Sequence, residues 1–109
     1  MTNVTLDRLY DGYLFSCAGH AGYAAKGKDV VCAGVSALCM ALLERLAVLC
    51  DEGVAEMRRL DVREGEVTAE FGYVGEKRED LLLTAAVETV MAGFRAIAAR
   101  YPEHVAVDE

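Results

Sequence analysis

Gly19-His20-Ala21-Gly22-Tyr23-Ala24-Ala25-Lys26-Gly27-Lys28-Asp29-Val30-Val31-Cys32 is the stretch on which the reading of this chain turns. Strand-like alternation stops at its left end, helical periodicity starts at its right end, and Gly22 and Gly27 punctuate the residues between. That pattern is a strand–loop–helix junction. To its left, Val4 and Leu6 alternate with Asn3, Thr5 and Asp7 over residues 2–9. Asp11-Gly12 then supplies a hairpin turn before a second strand over about residues 13–19. To its right, Asp29 is a candidate N-cap, and a helix is predicted to about Cys50, ended by Asp51-Glu52-Gly53. Its apolar stripe is Val31, Val35, Leu38, Leu42 and Leu49, with Cys32, Ser36 and Cys39 on a flank about 80–140° away.

The remainder repeats the pattern. A second hairpin is predicted over about 54–61 and 66–72, turning at Glu64-Gly65, with Val67, Ala69 and Phe71 on one face and Glu66, Thr68 and Glu70 on the other. A last helix over about 77–101 buries Leu83, Val87, Val90, Phe94 and Tyr101 before Pro102 stops it, and the tail from Glu103 can add a short edge strand. The order ββαββα predicts an α+β two-layer sandwich, a mostly antiparallel sheet with two helices packed on it.

Bulk properties narrow the function. The 109 residues suit one domain spanning 1–109, able to bury roughly 65% of its unfolded surface without disulfides or metal. With 11 Lys+Arg against 18 Asp+Glu, the formal net charge of −7 argues against direct phosphate binding to nucleic acid and suits a basic partner. The longest apolar run, residues 30–43, is shorter than the ~18 residues of a membrane span. Residues 1–5 lack the basic-then-apolar run of a signal peptide. Cys17, Cys32, Cys39 and Cys50 form no CxxC and have no second His nearby, so neither a metal site, nor a cofactor, nor a secreted disulfide framework is expected. Free thiols point to the cytoplasm.

The chemistry lies in the junction itself. With Asp29 as N-cap, Cys32 is the third helical residue, in the turn where unpaired N–H groups and the helix dipole favour a thiolate. The loop can fold His20 back against it as acid–base partner, giving a Cys–His pair able to attack a carbonyl, with helix-end N–H groups as candidate oxyanion donors. Asp29 either caps the helix or orients His20. The plainer reading of any cysteine in an apolar helix is a small core residue. Cys17, Cys39 and Cys50 fit that reading, and His104, after Pro102, reads as a surface residue. Gly22-x-x-x-x-Gly27-Lys28 nearly spells a P-loop, but Asp29 stands where a magnesium-binding Ser or Thr is needed, and the parallel βαβ frame is missing.

Gly19-His20-Ala21-Gly22-Tyr23-Ala24, followed by Gly27-x-Asp29-Val30-Val31-Cys32-Ala33-x-Val35-Ser36-Ala37-Leu38, resembles the ribosomal-processing cysteine protease family of bacteria. The likeness covers essentially the whole chain, including the ending Tyr101-Pro102-Glu103. It implies a homodimeric Cys–His endopeptidase, without a cofactor, whose partner is a basic ribosomal protein precursor. The implied reaction removes the N-terminal extension of large-subunit ribosomal protein twenty-seven before ribosome assembly, after bulky aromatic residues. By position, His20 is the base and Cys32 the nucleophile, while Gly19, Gly22, Asp29 and Ser36 bind substrate or shape the site. The loop between the pair is expected to close over substrate. Gly34 stands where the family more usually has Ala. A non-catalytic module that binds a ribosomal protein, and a Cys–His hydrolase of another acyl bond, are the competing readings.

Overall fold

Period-two alternation puts Val4 and Leu6 on the inner face of β1 (Thr2–Leu9), both fully buried, with Asn3 and Asp7 facing solvent. In the computed structural model, which describes residues 1–75 and 81–109, β1 pairs antiparallel with β2 (Gly12–Ala18), Asn3 opposite Ala18 and Leu9 opposite Gly12. The connecting turn is therefore Tyr10-Asp11, one residue before the expected Asp11-Gly12. Gly12 belongs to the strand, where a Cβ would lie 2.2 Å from the Phe71 carbonyl oxygen on the neighbouring strand. It is a glycine of close backbone approach rather than of turn conformation.

The second hairpin forms as expected, β3 (Ala55–Arg63) and β4 (Glu66–Tyr73) turning at Glu64-Gly65, with an irregularity between Met57 and Arg59. β4 pairs antiparallel with β2, and the tail supplies β5 (Val105–Asp108), parallel to β1. The sheet order is β3-β4-β2-β1-β5. The expected ββαββα sandwich is thus present, extended by one C-terminal edge strand. β2 is its central strand, so the end of β2 delivers residues 19 and 20 to the middle of the sheet, beside the β3–β4 turn.

α1 (Val30–Asp51) and α2 (Leu81–Arg100) pack on each other and share one core with the sheet. The buried stripe of α1 is Val31, Val35, Cys39, Leu42, Leu46 and Leu49, a 3.6-residue period. Cys39 shares the flank of Cys32 and Ser36, one heptad on, and is buried there against the core. Leu38, expected in the stripe, is half-buried because it turns toward α2, where a Cβ on Gly93 would lie 2.8 Å from its Cδ2. α2 buries Leu83, Val87, Val90 and Phe94 as expected and adds Met91, while Tyr101, just past its end, is half-buried. The expected helix start near residue 77 lies outside the described residues.

Phe15, Phe71 and Phe94 fill the centre, Phe15 and Phe94 with ring centroids 5.7 Å apart. Each contributes about 1.5–3 kcal/mol through burial. By length and composition α1 and α2 could each cross a bilayer, since the apolar run of α1 continues past Glu44 and Arg45. Here their apolar stripes lie on the sheet.

Candidate active site

The site grows from the end of β2. Gly19 has φ +102, and a Cβ there would meet the Met1 carbonyl oxygen at 2.4 Å, so only glycine lets the chain pass the start of β1. Its N–H donates to the Gly65 carbonyl at 2.8 Å, tying the strand end to the β3–β4 turn. His20 follows with an exposed side chain whose ring lies against Gly65 and makes no hydrogen bond among the described residues. Ala21 turns back inward and is buried.

Two anchors shape the loop. At its base, Tyr23 stacks edge-on against Tyr101 and His104, with centroids 5.3 and 5.4 Å away, and Nδ1 of His104 donates to the Ala21 carbonyl at 2.9 Å. His104 is therefore a half-buried buttress for Ala21 and Tyr23 rather than a surface residue, because the tail folds back to form β5. At the helix start, Oδ2 of Asp29 accepts from the N–H groups of Tyr23 (3.0 Å) and Ala24 (3.3 Å), and Oδ1 accepts from Cys32 at 2.9 Å. Of the two sequence alternatives for Asp29, the structure contains the helix cap. The Cys32 N–H, and then those of Ala24, Tyr23 and Val31, hold its carboxyl below the usual carboxylate range. Gly22 (φ +67) and Gly27 (φ +86) supply the left-handed turns that let the loop leave and return. At the tip, Lys26 Nζ reaches Glu64 Oε1 at 2.8 Å, joining the loop to the β3–β4 turn.

Between α1 and that turn runs a groove of about 890 Å³. Gly19, His20, Gly22, Asp29, Cys32 and Ser36, all six residues singled out in the sequence, line it. Cys32 is half-buried at the first turn of α1, and Ser36 is exposed one turn further on. The groove contains a Cys, a His and a helix N-terminus, the parts of an acyl-transferring site. Cys17 and Cys39 form its floor, and contact with Cys39 together with burial pushes the Cys17 thiol well above the ordinary thiol range. All four cysteines are free. Among the described residues, no three His, Cys, Asp or Glu converge as a metal site.

The far wall of the groove is not legible in the sequence. Glu64 and Gly65 read as a hairpin turn and nothing more. Val62 and Val67, with Met40 and Leu43 on α1, give the groove apolar sides. The signal for these was their alternation in β3 and β4, which names a sheet face without saying that α1 leaves part of it open.

The sequence matches the family described as cysteine protease Prp over residues 1–106. The chain belongs to the Prp family of cysteine proteases. No curated protein matches the sequence. Among solved structures, it is similar to the essential ribosomal processing protease Prp of S. aureus in complex with a covalently linked product peptide (TM-score 0.74, 18% identity, 99% of this chain and 98% of that one). The same protease in complex with a substrate peptide gives a TM-score of 0.69 at 17% identity, covering 100% of both chains. SMU.848 from Streptococcus mutans gives 0.70 at 27% identity, covering 99% of this chain and 92% of that one. At these identities the S. aureus structures speak for the Prp fold alone.

Proposed function

We propose that this Prp-family protease removes the N-terminal extension of large-subunit ribosomal protein twenty-seven before ribosome assembly, with Cys32 as nucleophile and His20 as acid–base partner. The observation that carries the reading is that both side chains line one groove, with Cys32 in the first turn of α1. In the first step His20 takes the thiol proton and Cys32 Sγ bonds to the scissile carbonyl carbon. Collapse of the tetrahedral intermediate breaks the C–N bond, and His20 gives its proton to the leaving amine. Water, deprotonated by His20, then hydrolyses the thioester and regenerates the thiol. The N–H of Cys32 is occupied by Asp29, so oxyanion stabilisation falls to the positive end of α1 as a whole.

The substrate assignment is supported by the ribosomal processing named for the S. aureus relative and by charge, since a chain of net −7 attracts a basic ribosomal protein. We place the protein in the cytoplasm as a homodimer, on its free thiols and its family resemblance.

The test incubates wild type and Cys32→Ala with the same organism's ribosomal protein twenty-seven precursor and weighs the products by mass spectrometry. The expected result is one new N-terminus with wild type and none with the variant. Precursor left intact by both, yet bound by both, would make the protein a binding module for this substrate.

A further inference from the structure

Gly65 has φ +77 at the two-residue turn between β3 and β4, and that conformation alone explains a small residue there. Asn also tolerates it. Two contacts ask for more than a tolerated φ. A Cβ on Gly65 would lie 3.1 Å from both Cε1 and Nε2 of His20, closer than ordinary van der Waals contact. The Gly65 carbonyl also accepts the N–H of Gly19, so the residue preceding His20 is fastened to the same turn. The imidazole thus meets Gly65 with its outer edge, the one carrying Nε2. The ring is exposed and makes no hydrogen bond among the described residues, so an added Cβ would push the ring aside and leave the fold in place.

We propose that Gly65 is a positioning residue for His20: its bare Cα is the seat that keeps the imidazole edge at the groove wall. The inference rests on reading His20 as the acid–base group. Its consequence is specific, because a proton-transfer group displaced by about 1 Å can cost on the order of a hundredfold in rate without any loss of substrate affinity.

Gly53 supplies the control. It has φ +74, and a Cβ there would meet nothing within 4 Å, so Gly53→Asn carries the same backbone cost with no ring to displace. The experiment measures kcat and KM of wild type, Gly65→Asn, Gly53→Asn and His20→Asn on the ribosomal protein twenty-seven precursor, with melting temperatures for each. The expected result is a kcat about 10- to 100-fold lower for Gly65→Asn, with KM within about twofold and a melting temperature matching that of Gly53→Asn. Gly53→Asn should keep wild-type kcat and His20→Asn should be inactive. Equal kcat for the two glycine variants beside an inactive His20→Asn would overturn the proposal alone. Wild-type activity in His20→Asn would overturn the base assignment and the proposal together. A measurement needing no variant stands beside these: a nuclear Overhauser contact between the His20 Cε1 proton and the Gly65 Hα protons in wild type. Its presence supports the seat, and its absence in the folded protein would overturn it even if Gly65→Asn failed to fold.

Discussion

The Asp29 carboxylate accepts from the backbone of Tyr23, Ala24 and Cys32 at once, so a single side chain both starts α1 and ties down the loop that leads to it. Asp29→Asn keeps one acceptor oxygen for the Cys32 cap but turns an NH2 toward the N–H groups of Tyr23 and Ala24, whereas Asp29→Ala leaves all three amides unpaired. Asp29→Ala is expected to lower the melting temperature by a few degrees and to speed hydrogen exchange over residues 21–28, while Asn keeps the melting temperature near wild type but also speeds exchange in the loop. Exchange followed by mass spectrometry checks both. The pH dependence has a definite sign. The folded-state pKa of Asp29 lies below its ordinary 3.8, so the stabilisation is complete above 3.8 and is lost as pH falls through the lower, folded value. Exchange in the loop, corrected for its intrinsic pH dependence, should therefore stay flat from pH 7 to about 4.5 and rise only in stronger acid.

At the scale of elements, the close approach of α1 and α2 accounts for small residues on both. A Cβ on Gly34 would sit 3.3 Å from Ile97 Cδ1, the mobile end of a half-buried side chain that can yield by a few tenths of an ångström. Gly34→Ala is therefore expected to stabilise the protein by about 0.5 kcal/mol, helix propensity outweighing the contact, as urea denaturation would show. The hairpins and α1 were legible in the sequence because their signals are local: alternation in Val4 and Leu6, Glu64-Gly65 at the turn, Asp29 before Val30. The Asp11-Gly12 turn misplaced by one residue shows the limit of that, since Gly12 answers to Phe71, far along the chain. His104 was unreadable for the same reason. Its role depends on β5 pairing with β1 across nearly the whole chain, and nothing in the three residues around it encodes that. His20 and Cys32 were legible as chemistry from their types and spacing, but the Gly65 seat became visible only when two distant hairpins met.

The whole molecule brings an acidic surface to a substrate expected to be basic. If that attraction speeds encounter, kcat/KM on the precursor should fall several-fold as salt rises from about 0.05 to 0.5 M, while kcat changes little. Stopped assays across a salt series check this, and a flat kcat/KM would leave the charge a solubility feature. Core integrity sets a separate scale: Phe94→Ala, removing a fully buried ring stacked on Phe15, should cost about 3–5 kcal/mol by chemical denaturation. The mechanism turns on which thiol does the work. Intact mass and peptide mapping, after exposure to a peptide of the precursor's extension carrying a C-terminal chloromethyl ketone, address that directly. A single label on Cys32, slowed strongly in His20→Asn, is expected. A label on Cys17, Cys39 or Cys50, or undiminished labelling without His20, would contradict it.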